Sequence, residues 1–288
     1  MQGTVDGFSY GLVTPLVAYV MACLGGALGL RCTTRSLLVA GSWRPGWLAL
    51  GSMAIGSGIW TMHFIAMMGF TVQEAPIHYD KPMTYASLGV AILMVGIGIF
   101  IVGYRGASGT ALFTGGTITG LGIASMHYLG MAGMRLDGKL AYNTLTVAAS
   151  VLIAMVAATA ALWAAGQVRG FLWSVGASLV MGLAVSGMHY TGMAALTVHL
   201  HGTADPSSGD SPAALLAPML IGPLALLLLA AVVVLFDPLI VMGRSALPRP
   251  EHKPGVPAHA PLPHHTRRLA LRTRRHLARS GSRTPQNR

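Results

Sequence analysis

Charge is scarce in this chain. Of its 288 residues only 9% are Asp, Glu, Lys or Arg, while 53% are hydrophobic. A soluble domain carries about 25% charged residues. So few charges cannot build a water-solvated surface, which excludes an ordinary soluble domain and makes lipid the solvent for most of the chain. Cysteine is nearly absent. Cys23 lies inside the first apolar run and Cys32 at its end, so no structural disulfide between them is expected, and no Cys-x-x-Cys zinc pattern occurs. Met1 to Tyr10 holds no Lys or Arg and one acid, Asp6. A signal peptide needs a positive n-region, so the first apolar run reads as a permanent span. Val20-Met21-Ala22-Cys23 lacks the same basic region for a lipoprotein box. No nucleophile triad, phosphate loop or carboxylate pair is present, which speaks against an enzyme. Gly120-Leu121-Gly122 imitates a nucleotide fingerprint but falls in mid-span.

What is present is long apolar runs. Seven are long enough to cross roughly 30 Å of hydrocarbon at 1.5 Å per residue: 8–30, 47–70, 84–104, 110–134, 144–165, 171–197 and 214–241. The fold class expected is all-α, a polytopic membrane protein of seven transmembrane helices. Pro15, Gly96, Gly120 and Pro223 fall within these runs, where neighbouring helices can satisfy the freed backbone groups. Gly116-x-x-x-Gly120 reads as a close helix contact.

The formal net charge of +11 is concentrated at one end, with eleven of the 19 basic residues after Met242. With the N-terminus outside, Arg31, Arg35, Arg44, Arg105, Arg169 and the tail place 16 basic residues inside, against Lys81, Arg135 and Lys139 outside. The positive-inside rule then orients the chain with its N-terminus out and C-terminus cytoplasmic. Residues 1–242 form the membrane domain. Residues 243–288, rich in Pro, His and Arg, read as a disordered cytoplasmic tail that contacts anionic lipid at most; no specific nucleic acid is expected. The tail is expected to be dispensable for folding.

Three even-numbered spans carry the same phrase: Met62-His63-Phe64-Ile65-Ala66-Met67, Met126-His127-Tyr128-Leu129-Gly130-Met131 and Met188-His189-Tyr190-Thr191-Gly192-Met193. The copies share Gly56, Gly120 and Gly182 seven residues before the His, and a small residue (Ala66, Gly130, Gly192) three after it. The histidines are 64 and 62 residues apart, so the unit is a two-helix hairpin repeated three times, plus one helix. His at i and Met at i+4 share a helix face, and the Gly seven residues back lets another helix come close on it. An even number of crossings separates the copies, so all three histidines sit at one depth near the outer face. Repeats of equal orientation are related by an axis along the membrane normal, which would turn His63, His127 and His189 toward one point. A lone His in a span is a hydrogen-bonding residue and a lone Met stripe is packing, but three matching copies favour a shared site. Imidazole suits copper, zinc and iron, and thioether sulfur selects soft ions such as Cu(I). The candidate metal ligands are His63, His127 and His189, with Met67, Met131, Met193, Met62, Met126 and Met188 as secondary ligands or lining. Copper is the expected metal, with an open position reached from outside. His78, His199 and His201 read as solvated loop residues.

This pattern resembles the MHYT family of bacterial integral membrane sensor modules, named for a repeated Met-His-Tyr-Thr motif. Met188-His189-Tyr190-Thr191 spells it in full; Leu129 takes the fourth place at the second copy, and Phe64 and Ile65 the last two at the first. The resemblance covers about 8–241. It implies a seven-span module in the bacterial cytoplasmic membrane that binds copper through His and Met and responds to a small diatomic gas or to redox state. Family members are often fused to cyclic-di-GMP enzymes, kinases or DNA-binding domains. After Met242 this chain has only its tail, so output is expected through a separate cytoplasmic signalling partner. A copper-handling transporter or chaperone is the alternative. It lacks a His or Met path leading inward, and a coupled transporter lacks mid-span carboxylates. A haem enzyme with two histidine ligands is a third reading without catalytic residues to support it.

Overall fold

The computed structural model describes residues 2–39, 43–167, 171–201 and 211–237. The tail at 243–288 and Arg169 lie outside the described residues. Seven long helices are present: α1 Val13–Leu38, α2 Arg44–Met68, α3 Lys81–Arg105, α4 Gly109–Ala132, α5 Thr144–Gln167, α6 Phe171–Ala194 and α7 Pro212–Leu235. The protein is an all-α polytopic membrane protein. By length and composition six of the seven helices are apolar enough to span a bilayer, and α4 is not among them. Its sequence, GTALFTGGTITGLGIASMHYLGMA, is diluted with glycine, threonine and serine. Such a helix gains little from lipid and is held by protein on both sides.

The helices close into a ring. Each of α1 to α6 packs on the next, α6 returns to α1, and α7 lies outside against α2 and α1. The consequence is graded burial. In α2, 78% of the apolar window is buried inside the protein, against 28% in α5, because α7 covers the face of α2 that lipid would otherwise touch. Helix α7 runs unbroken through Pro218 and Pro223, as expected for proline in a membrane helix. Both cysteines are free.

Helix boundaries differ from the apolar runs in two places. Helix α1 continues to Leu38, so Arg31 and Arg35 belong to its last turns rather than to a loop. Arg35 Nε lies 2.6 Å from Asp237 Oδ2, just past the end of α7, with side-chain exposures of 18% and 3%. The paired charge can therefore remain on the helix. At the other end, the apolar run continuing past α6 is a strand. Leu196–Leu200 has β-branched Thr197 and Val198 at its centre and pairs with a neighbouring loop.

That strand is one of six, all at one end of the bundle: β1 Val5–Asp6, β2 Thr71–Val72, β3 His78–Tyr79, β4 Met134–Arg135, β5 Gly138–Tyr142 and β6 Leu196–Leu200. They form three antiparallel ribbons, β1·β2, β3·β4 and β5·β6. Each ribbon joins one connection to the next: the N-terminal segment to the α2–α3 loop, that loop to the α4–α5 loop, and that loop to the α6–α7 loop. Gln2 bridges to His199, and Gly3 N–H donates to the Val198 carbonyl at 2.9 Å, which closes the circuit. The ribbons form a continuous cap. Its inward residues Phe70, Val72, Ile77, Met134, Val198 and Leu200 are buried and join the main apolar core.

Candidate metal centre

Helices α2, α4 and α6 end beneath the ribbon cap, and each carries one copy of the repeated phrase in its last turns. The glycine seven residues before each His does what its position promised. A Cβ on Gly56 would lie 2.8 Å from the Ile92 backbone on α3, and one on Gly120 would lie 2.4 Å from the Met155 backbone on α5. On Gly182 it would lie 2.5 Å from Cys23 Sγ on α1. Each inner helix is thereby seated against its outer neighbour, and the third contact closes the ring through α1 rather than α7. Gly116 sits equally close to Thr159 on α5, confirming the expected close contact there.

Held this way, the three histidines meet. Each is 1% exposed. Their Nδ1 atoms form a triangle with edges of 3.0 Å (His63–His189), 3.2 Å (His63–His127) and 3.3 Å (His127–His189). The rings stand edge to face, with interplanar angles of 79°, 75° and 90°. His63, His127 and His189 converge on one point, as the repeat spacing predicts.

The packing that aims the rings comes from residues three places after each His. A Cβ on Gly130 would fall 2.7 Å from His63 Nε2, and one on Gly192 would fall 2.5 Å from His127 Nε2. Each of these imidazoles lies on the backbone of the next inner helix, where a side chain would displace it. Neither Nε2 has a hydrogen-bond partner, so shape rather than an acceptor holds these rings. The residue after each His adds a second wall: Phe64, Tyr128 and Tyr190 meet their own His edge to face at 4.6, 4.8 and 4.9 Å between centroids. Two of the outer helices anchor that wall through serines 63 residues apart. Trp60 Nε1 donates to Ser87 Oγ at 3.0 Å on α3, and Tyr128 Oη lies 2.6 Å from Ser150 Oγ on α5. The sequence reading did not single out these serines; their repeat spacing is the signal that could have found them.

The donor set has a definite chemical character. A neutral imidazole Nδ1 carries either one proton or one lone pair, so it completes one hydrogen bond, and three mutual contacts cannot all be hydrogen bonds. For edges near 3.2 Å the centre of the triangle lies about 1.8 Å from each nitrogen. That is close to the 2.0–2.1 Å of a zinc–imidazole bond, a spacing at which His63, His127 and His189 would hold a single ion. The triad is the one group of three or more His, Cys, Asp or Glu among the described residues close enough to hold an ion, and no carboxylate or thiol joins it. Of the six motif methionines, Met62, Met126, Met188, Met67 and Met131 are fully buried, while Met193 is partly buried against the core. His78, His199 and His201 are exposed and stand apart from the triad.

Comparison with known proteins agrees with this repeat. The model of the MHYT family, described as a bacterial signalling protein N-terminal repeat, matches residues 56–115 and 120–178. The chain is 38% identical over 192 residues to the bifunctional diguanylate cyclase/cyclic di-GMP phosphodiesterase MucR of Pseudomonas aeruginosa, covering 65% of this chain and 28% of that protein. It is 35% identical over 213 residues to the cyclic di-GMP phosphodiesterase NbdA of the same organism, covering 68% and 26%. It is 29% identical over 198 residues to the signaling protein YkoW of Bacillus subtilis, covering 66% and 24%. The chain thus spans about a quarter of the length of these relatives. No solved structure matches it. Two copies matched by the family model and a third spelled out at Met188-His189-Tyr190-Thr191, each contributing one histidine to a common centre, show that the chain belongs to the MHYT family of bacterial membrane signalling proteins.

Proposed function

We propose that this protein is a membrane sensor in which His63, His127 and His189 hold a single metal ion, copper first among the candidates, and that the ion's ligation or redox state is the signal. One observation carries the reading: three Nδ1 atoms from three sequence repeats stand 3.0–3.3 Å apart, contacts that cannot all three be hydrogen bonds. The absence of a carboxylate or thiol from the group bears on which ion is held. Burying a charge costs free energy that grows with the square of that charge, and three neutral imidazoles coordinate an ion without supplying any opposite charge. A monovalent ion is therefore favoured over a divalent one, and Cu(I) also suits the buried thioethers of Met67 and Met131. The bound ion would supply a coordination position for a diatomic gas, or a one-electron redox couple. The chain's own residues aim the imidazoles and exclude water.

A copper carrier would use the same ligands, but it needs a ligand path onward. Of the side chains lining the cavity on the far side of the triad from the cap, only Met181 is a soft donor, which favours a resident ion. The surplus of basic residues on one side of the membrane supports placing the ribbon cap and N-terminus outside and the tail in the cytoplasm. Matching about a quarter of each multidomain relative supports a sensor portion whose signal is passed to a cytoplasmic partner; no catalytic role is proposed.

Metal analysis with an optical spectrum of the purified protein tests this reading. Replacing any one of the three histidines by Ala should remove most of the metal, whereas Met67→Leu should weaken binding without abolishing it. Loss of about a third of the metal per His, or a wild-type protein free of metal after copper loading, overturns the single-centre reading.

A further inference from the structure

On the side of the triad opposite the ribbon cap the six-helix ring lines an apolar cavity of about 30 Å³. Its lining repeats the threefold pattern of the centre itself. Ile59, Ile123 and Val185 stand four residues before His63, His127 and His189, and Ile55, Thr119 and Met181 stand eight before them. On a helix these are the first and second turns below each His on the same face, about 6 and 12 Å along the axis. Side chains of α1, α3 and α5 complete the wall. The cavity therefore lies on the axis that relates the three histidines, beginning one layer of side chains away from them.

The two sides of the centre are unlike. Toward the cap the triad is covered by buried apolar side chains of the ribbons, joined into a closed circuit by backbone hydrogen bonds. Toward the cavity it faces branched aliphatic side chains and empty space. Among the lining residues the buried Thr119 hydroxyl, 5% exposed, has no hydrogen-bond partner. At about 30 Å³ the cavity is far smaller than the engineered apolar cavity of about 150 Å³ that binds benzene or xenon, so it has room only for a small guest.

We propose that this cavity is a binding site for an uncharged, apolar molecule of two or three heavy atoms, the size of a diatomic gas, which enters from the hydrocarbon of the bilayer and meets the triad from the cavity side. Hydrated solutes are excluded twice, by the lipid route and by the aliphatic lining. The approach to the histidines rests on the metal reading above; the cavity and its guest do not. Ile59, Ile123 and Val185 are then the gate between guest and centre, and their bulk sets the rate of approach.

The test uses xenon as the probe, on the full chain in lipid nanodiscs after copper removal. One saturable xenon site is expected by xenon NMR. Ile123→Phe should weaken it at least tenfold, and Ile123→Ala should strengthen it, a second variant that reads the site if the larger side chain prevents folding. Xenon is read on the copper-free wild type and metal content on the copper-loaded one, so the cavity and the metal reading fail separately. In the copper-loaded protein, Ile123→Phe should slow carbon monoxide binding at least tenfold with metal content unchanged. Absence of xenon binding to the wild type, or equal binding by all three Ile123 forms, overturns the cavity site. An unchanged carbon monoxide rate overturns the approach from the cavity.

Discussion

At the scale of single residues, Gly130 and Gly192, three places after His127 and His189, are as much a part of the centre as the histidines. Gly192 supports the His127 ring, and a Cβ there would stand 2.5 Å from Nε2. Gly192→Ala should shift the ring and lower metal affinity at least tenfold, read by competition with a chelator. Overpacking of this kind costs about 1–3 kcal/mol of stability, so the protein should still fold. Gly187 provides the control: a Cβ there meets nothing within 4 Å, and Gly187→Ala should leave metal binding unchanged. Equal losses in the two variants would mean that general helix effects, not the ring contact, govern the site. The repetition of Ala66, Gly130 and Gly192 was legible in the chain. Its reason was not, because the atom each glycine accommodates belongs to a helix about sixty residues away in sequence.

At the scale of elements, helices α3, α5 and α7, each following a ribbon strand, begin alike. Asp80 Oδ1 accepts from Met83 N–H at 2.9 Å, Asn143 Oδ1 from Thr146 N–H at 3.1 Å and Ser211 Oγ from Ala214 N–H at 3.2 Å. Each side chain satisfies an orphan amide of the first turn. Asp80→Ala should cost about 1 kcal/mol, measured as a lowered melting temperature. The added loss from the Arg135 contact should be small, since that pair is 3.6 Å apart and exposed. The cap has its own acid. Glu74 Oε2 accepts from Thr4 N–H at 2.8 Å, and its side-chain and backbone hydrogen bonds with Thr4 hold the Glu74 carboxyl below its ordinary range. A lowered folded-state value means that the tie stabilises the cap fully above the unfolded carboxyl range and is lost as pH falls through the folded value. Protection of the Val5 and Val72 amides against hydrogen exchange, taken relative to the intrinsic rate at each pH, should fall on acidification in the wild type. In Glu74→Gln that pH response should be absent.

At the scale of the whole molecule, a largely buried ion pair fastens the end opposite the cap. Arg35 and Asp237 join α1 to the end of α7, and the Arg35 guanidinium also lies 5.6 Å from the centre of the Trp47 ring. Removing one partner strands a buried charge, so Asp237→Asn should destabilise by about 3 kcal/mol. Arg35→Met with Asp237→Leu should recover most of that loss. A double variant as unstable as the single would show that the pair itself stabilises, beyond avoiding a stranded charge. Orientation belongs to this scale too. A reporter fused after residue 243 should be active only in the cytoplasm, and activity only outside would invert the topology argued from the basic residues.

The sequence by itself determined that the chain lives in lipid, that it is helical, that it repeats a hairpin unit, and that three histidines share one depth. Each of these follows from local facts: apolar run length, charge count, and a phrase recurring at 64 and 62 residues. Membrane solvation makes such facts unusually informative, because a spanning backbone has few alternatives to the helix. Only the tertiary structure decided that α6 returns to α1 and leaves α7 outside, that Leu196–Leu200 is a strand, and that the loops knit into a cap. It also decided that the space beside the histidines lies on the side away from that cap. These are pairings between distant segments. An apolar run does not reveal whether its last residues continue a helix or join a strand until the partner strand is in place, and a cavity is a property of six helices together rather than of any one of them.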